Sequence, residues 1–364
     1  MSQESQLNFT YEQLLSNVKL DTPLIAGGVR CHGGFDATGY RSPRTMWRVP
    51  AIEAWQKQHL ATSPVPLVEI ASDLIPPHLP SVAQAKLLLK SGVREPIIRI
   101  LTEIAIIEGF GATIRDLPVP PLKSFIHEST ASTALAHLTG GLFEAHARDE
   151  AGWGDEGGHK QMWEAARDIA LSNPDVPADI LMMIMGRRSS QNRPQRLLPT
   201  LAEPVERLLA FMAGVLAIEV FARSTFKWAE ELLGDPEVSD SPAEASRLVS
   251  YIRSDESPHV EYLRTALSEV AARTLIAADG SEIAGRDAVN ALLERSLKMM
   301  IRQRLRERRD QIRNSIRAGA EGKVADVEEF AARFDALETP WEPPAFARLE
   351  PVNNAAGNSG QVGY

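Results

Sequence analysis

From about residue 94 onward, apolar residues recur every three to four positions, the period of helices with one face in a core. No convincing alternating strand interrupts them. The pattern predicts helices over 95–114, 121–138, 142–150, 158–172, 176–186, 204–233, 242–275 and 286–318. Ser241-Pro242-Ala243-Glu244 reads as a capping box with proline at the first helical position, and Gly234-Asp235-Pro236 closes the helix before it. Thr139-Gly140-Gly141 reads as a tight connection between two antiparallel helices. Residues 20–80 are rich in Gly and Pro and predict an irregular arm, with short helices near 11–18, 50–59 and 81–91. Residues 1–9 and 351–364 are polar, with Asn and Gly, and are expected to be disordered. The expected architecture is therefore all-α: an arm over 1–94, a helical bundle over 95–320, and an extension over 321–364.

Ionisable residues interrupt the apolar stripes in a consistent way. In the helix from 242, the stripe Leu248, Ile252, Leu263, Leu267, Val270 passes through Asp255 or Glu256 and then His259, with Pro258 in the same turn. His159 heads a face continued by Met162, Trp163, Ala166, Ile169 and Ala170. Glu219 is flanked by Val215, Leu216, Ile218, Val220 and Phe221. Glu150 shares a face with Phe143, His146 and Ala147, and Glu128 one with Phe125 and Leu135. A chain reversal at Thr139–Gly140 would bring Glu128 and Glu150 to the same height on neighbouring helices. The glycines of AGWGDEGG should then break the helix and return His159 to that level. Buried carboxylates cost several kcal/mol unless paired, protonated or bound to a cation. The joint pattern therefore points to a di-metal site supplied by successive helices.

Plainer readings exist for each residue singly. A buried histidine is usually a hydrogen-bonded core residue, and Glu219 has Arg223 and Lys227 one and two turns on. Glu103 and Glu108, in IIRILTEIAIIEGFG, could be ligands or proton relays, but a helix end or an oligomer interface is the preferred expectation. His127, His137 and His146 read as structural or as supporting groups around the ligands. The basic amphipathic stretch 297–317, with its stripe Leu297, Ile301, Leu305, Ile312, Ile316, reads as a packed helix with a solvated cationic face, ahead of a docking helix for RNA, membrane or partner.

The chain has 364 residues, 44% of them hydrophobic, enough for a large core, and its net charge of −9 argues against a nucleic-acid partner. No apolar run approaches the ~18 residues of a membrane span, and the N-terminus does not read as a signal peptide. The single cysteine, Cys31, excludes an internal disulfide, fits a cytoplasmic location, and is expected to be inert.

The segment DEAGWGDEGGHKQMW (149–163) resembles the D-E-x-G-x-G…H-x-x-[LM]-[FW] signature of the heme-oxygenase-like di-iron oxidases and oxygenases, whose fold is related to that of the PqqC and TenA proteins. The resemblance covers roughly residues 95–275. It implies two iron ions with O2 as co-substrate, and no organic cofactor. Its ligand set would be Glu128 from the first helix, Glu150 and His159 from the second, Glu219, and then Asp255, Glu256 and His259. Glu156 could replace Glu150, and the share of Asp255 and Glu256 stays open. A ferritin-like bundle using Glu156-x-x-His159 and Glu256-x-x-His259 is a nearby alternative. The implied activity is oxidation of a small amine, amino-acid-like or fatty-acid-like substrate, by N-oxygenation or at C–H and C–C bonds. Arg223, Lys227 and Arg253 could anchor a carboxylate. An external electron donor and a homodimer through the oily helix 97–110 are further options. The rivals are a metal-free enzyme or ligand-binding protein of the PqqC/TenA kind, and an interaction protein that uses the basic C-terminal helix.

Overall fold

A computed structural model describes residues 7–190, 195–303, 308–342 and 344. In chain order the elements are α1 (Tyr11–Leu14), β1 (Thr22–Ala26), β2 (Val29–Asp36), β3 (Gly39–Arg41), α2 (Arg48–Thr62), α3 (Val82–Lys90), α4 (Glu95–Gly111), α5 (Phe143–Ala151), α6 (His159–Ala170), α7 (Ile180–Ser190), α8 (Glu203–Leu233), α9 (Pro242–Asp255), α10 (Ser257–Ala271), β4 (Thr274–Ile276), β5 (Glu282–Ala284), α11 (Gly285–Arg302), α12 (Arg308–Ala320) and α13 (Val327–Ala336). The result is an all-α bundle with two small antiparallel sheets. None of the described helices is long and apolar enough to cross a membrane.

Two apolar clusters form the core. One gathers Ala147, Leu216, Phe221, Val260 and Leu263 with Trp55 of α2. The other gathers Leu101, Ala105, Met162, Trp163, Phe226 and Ile252 with Leu24 and Cys31 of the N-terminal sheet. The long helix α8 runs through both, Leu208 to Phe221 in the first and Phe226 to Leu233 in the second. The segments α5–α6 and α9–α10 also cross from one cluster to the other, and each changes course at the crossing. Glu150, His159, Glu219, Glu256 and His259 all fall in this boundary layer.

Four expectations are corrected. Residues 121–138 are not a helix: short turns at Leu122–Ser124 and Ala134–His137 flank an extended stretch in which Ile126 bridges Leu275. Thr133 Oγ1 donates to the Thr130 carbonyl at 2.6 Å and the Ser129 hydroxyl accepts the Ala131 N–H at 3.2 Å, local bonds that compete with a helical ladder. The predicted helix 242–275 divides at Glu256, because Pro258 lacks the N–H that would continue the ladder; its second part ends at Ala271, and the chain then pairs β4 with β5. The 286–318 helix is two helices, α11 and α12. The arm holds a β1-β2-β3 meander as well as the expected short helices.

Other expectations hold in whole or in part. Ser241 is the N-cap of α9 as expected, but its side chain makes no capping hydrogen bond, so the expected capping box is not formed. Gly234 ends α8; the chain does turn at Gly141, whose φ is 134°, but it leads from the short Ala134–His137 turn into α5 and does not join two antiparallel helices. Leu297, Ile301, Ile312 and Ile316 are buried, as a packed helix requires, while Leu305 lies outside the described residues, as do 1–6 and 351–364.

Candidate metal centre

Seven side chains from five helices and the α9–α10 break converge in the layer between the two clusters. They are Glu108 of α4, His146 and Glu150 of α5, His159 at the start of α6, Glu219 of α8, Glu256 at the α9–α10 break, and His259 of α10. They form two sets in which all ligand atoms lie within 4.8 Å of one another: His146, Glu150, Glu219, His259; and Glu108, Glu150, His159, Glu256. Glu150 belongs to both. Its Oε1 is 3.5 Å from His146 Nε2, 3.5 Å from His159 Nδ1 and 3.2 Å from His259 Nδ1. Glu256 divides its oxygens between two imidazoles, with Oε1 3.0 Å from His159 Nδ1 and Oε2 2.7 Å from His259 Nδ1. Glu150 is thus common to both sets, and Glu256 offers one oxygen to a histidine of each.

A surrounding layer orients the imidazoles, and it is built from the two Asp-Glu dipeptides in a crossed pattern. Asp149, next to Glu150, accepts a hydrogen bond from His259 Nε2 at 2.9 Å. Asp255, next to Glu256, faces His159 Nε2 at 3.6 Å. Each glutamate points to the centre while its neighbouring aspartate backs the histidine from the other half. Asp149 is in turn held by Arg44 Nε at 2.6 Å and Arg48 Nη2 at 2.7 Å, all three side chains being buried. Asp255 Oδ2 accepts from Tyr40 Oη at 2.8 Å and from His32 Nε2 at 3.2 Å. Tyr40 stacks on Tyr251, ring centres 4.1 Å apart. His146 stacks on His259 at 3.8 Å and meets Tyr262 Oη through Nδ1 at 3.1 Å. A third set of metal-capable atoms, His32, His159 and Asp255, reuses this hydrogen-bonded layer.

The electrostatics follow from charges crowded away from water. Burial opposes ionisation of Glu150, but His159 and His259 hold it well below the usual range. Burial likewise opposes Glu256, with His159 bringing it down. Burial opposes Asp149, which Arg44 and Arg48 hold well below normal, and Asp255, which His159 and His32 bring to about 2. Burial pushes Glu219 and Glu108 well up, and the neighbouring carboxylates add to it. Burial works against charge on His159 and His259, yet Glu256 and its neighbours raise both well above normal. Burial and then His259 push His146 down to about 3. Protons on His159, His259, Glu108 and Glu219 are thus what a cation would displace.

The residues fit such an occupant. His159 Nδ1 and Glu256 Oε1 are buried without a hydrogen bond, although they lie 3.0 Å apart. Leaving such groups unsatisfied costs about 1–3 kcal/mol each. The four glutamates balance two divalent cations in formal charge, while Asp149 is compensated separately by Arg44 and Arg48.

Of the residues expected from sequence, Glu150, His159, Glu219, Glu256 and His259 come together, with Asp255 directly behind His159. Glu128 does not join them. Its carboxylate accepts the Thr274 N–H at 2.8 Å and the Thr274 hydroxyl at 3.0 Å, because the helix that would have aimed it inward does not form. Glu156 pairs with the exposed Arg30 at 3.0 Å, so the Glu156-x-x-His159 pairing is not made. Glu108, expected at a helix end or an interface, is in the centre, and Glu103 is in neither set. The stripe Leu101, Ala105, Glu108 carries the same signal that pointed to His259: an apolar face interrupted by an ionisable residue. His146, four residues before Glu150, lies on the face already noted. His127 sits in an exposed pair with Glu282, and His137 donates to the Thr133 carbonyl. His32, Tyr40, Arg44 and Arg48 had no local signal. Cys31 is buried and its thiol is pushed up to about 11, mainly by burial, so it stays protonated as expected.

The glycine loop makes the meeting of Glu150 and His159 possible. Gly152 has φ 80° and ψ −178°, a conformation reached essentially by glycine alone, and a Cβ there would collide with the Glu156 carbonyl. The loop also pairs with the edge of β2, where His32 N–H donates to the Gly157 carbonyl at 2.9 Å, and this places His32 beside His159. Gly152→Ala is expected to lower stability by roughly 1–3 kcal/mol from backbone strain alone. It should also weaken binding at the position served by His159, as read by urea unfolding and by metal content. A variant with wild-type values for both would refute this role of the loop.

No protein-family model matches the chain, and neither a curated protein nor a solved structure matches it.

Proposed function

We propose that the protein is a non-heme di-iron oxidoreductase that activates O2 to oxidise a small organic molecule. The observation that carries this reading is the pair of ligand sets sharing Glu150, with Glu256 offering one oxygen to each of two histidines. Four carboxylates and three imidazoles without a thiolate favour iron or manganese over a structural zinc site. The reading retains the heme-oxygenase-like family, with Glu108 in place of Glu128 as the first-helix carboxylate.

Two iron ions bound there would supply the electrons that reduce O2 and the oxidising power applied to the substrate. The chain's own contributions are positional and electrostatic. Glu108, Glu150, His159 and Glu256 would hold one ion and His146, Glu150, Glu219 and His259 the other, with Glu150 common to both sets. Asp149 accepts the Nε2 proton of His259, which leaves Nδ1 to face the centre, and Asp255 is placed to do the same for His159. Arg44 and Arg48 keep Asp149 ionised and fixed. Leu216, Phe221, Phe226 and Ile252 are buried around the layer and keep bulk water from it.

The test is anaerobic titration with Fe(II), followed by an O2 pulse. Two irons per chain, O2 consumption and a transient visible absorption band are the expected results. Fewer than two irons in the wild type, or full loading that survives both His159→Ala and His259→Ala, would overturn the proposal.

A further inference from the structure

A cavity of about 380 Å³ opens beside the centre, with Glu219 and Glu256 among its lining residues. At about 30 Å³ per water it holds roughly a dozen waters, which suits a small molecule and not a folded partner. Its outer rim is cationic. Arg253 is neutralised by Glu230 at 2.5 Å, and the acidic Glu261 is engaged by Arg264 at 3.1 Å. Arg223 and Lys227 are exposed and make no ion pair among the described residues. Phe226, which stacks on Trp163 at 5.7 Å, and Val260, both buried, give the cavity apolar surface.

These features follow one face of α8. Glu219, Arg223 and Lys227 succeed one another at intervals of four residues, so the same stripe runs from the buried ligand to two unpaired cations. At 1.5 Å per residue, Arg223 and Lys227 stand about 6 and 12 Å along the helix from Glu219. A ligand that spans the cavity meets the charges of Arg223 and Lys227, the apolar surface of Phe226 and Val260, and, at Glu219 and Glu256, the carboxylate–imidazole cluster.

Resting on the di-iron reading, we infer that the substrate is a small molecule with an anionic head on a short apolar stem, its head held by Arg223 and Lys227 and its far end brought to Glu219 and Glu256. A simple amine lacks the group these two cations would recognise. The geometry makes Arg223 and Lys227 binding residues that touch the substrate away from the reacting atoms.

The experiment is calorimetric titration of the full chain, both freed of metal by chelator and loaded with zinc, at low ionic strength. The probes are octane-1-sulfonate, octan-1-ol and octylammonium, sulfonate being chosen because it is a poor metal ligand. The expected result, in at least one of the two forms, is one sulfonate per chain with affinity at least tenfold above that of octanol. The double variant Arg223→Ala/Lys227→Ala should lose that tenfold, while Arg223→Lys/Lys227→Arg keeps most of it. Sulfonate binding no tighter than octanol in both forms, tighter binding of octylammonium, or an unaltered double variant would overturn the inference. Metal content is measured on the same samples. Two ions per chain without sulfonate preference refutes the substrate class alone, whereas sulfonate preference in a chain that binds no metal refutes the di-iron reading alone.

Discussion

Glu150→Ala is expected to abolish binding of two metal ions per chain, lowering affinity at both positions by at least ~100-fold. The reason is that Glu150 is the carboxylate common to both ligand sets, and its Oε1 faces all three imidazoles at 3.2–3.5 Å. Losing a ligand confined to one set, such as Glu219, should weaken one position and leave the other measurable. Glu128→Ala serves as the control, since that side chain is engaged by Thr274, and should retain two ions. Metal stoichiometry after desalting reads all three variants. If Glu150→Ala and Glu128→Ala retain the same number of ions, the bridging assignment is wrong.

The second large effect is on stability. Asp149→Ala should destabilise the protein by about 3–5 kcal/mol, the cost of removing one partner from a buried ionic network. Asp149 and Arg48 have no exposed side-chain surface and Arg44 is 5% exposed, so the two guanidinium groups would be left without a counter-charge that water could replace. Arg44 is also held in a left-handed backbone conformation, with φ 51°, by the structure around it. Asp255→Ala makes the informative contrast. Asp255 has no guanidinium partner: it accepts from Tyr40 and His32 and faces His159 at 3.6 Å, so its stability cost should be smaller, while its effect on metal affinity should reach roughly 10–100-fold through the freed His159. Urea unfolding midpoints of the two metal-free variants test this order. An Asp149→Ala midpoint equal to that of wild type would show that the arginine pair does not depend on Asp149.

Particular residues show how far patterning carries and where it stops. The stripes on α6, α8 and α10 are interrupted by His159, Glu219 and His259, and those interruptions were legible because a 3.6-residue period assigns each residue to a face before any partner is known. Pro258 and the glycines of AGWGDEGG marked the two places where the helices had to break, because the missing N–H and the left-handed backbone are local properties. Glu128 is the exception: the period of 121–138 suggests a helix, but the side-chain bonds of its Ser and Thr residues and the pairing of Ile126 with Leu275 outweigh it.

By itself, then, the sequence determined an all-α bundle, an ionisable layer within its apolar stripes and most of the acids and histidines in that layer, since all of these are written in local periodicity. Only the tertiary structure decided which carboxylate is shared, that Glu108 replaces Glu128, and that Asp149 and Asp255 back each other's histidines. It alone also showed that Arg44, Arg48, His32 and Tyr40 of the N-terminal arm hold them in place. Those relations join residues as much as 223 positions apart, from His32 to Asp255. They depend on the sheet β1-β2-β3 docking on the glycine loop, a long-range contact that no local period encodes.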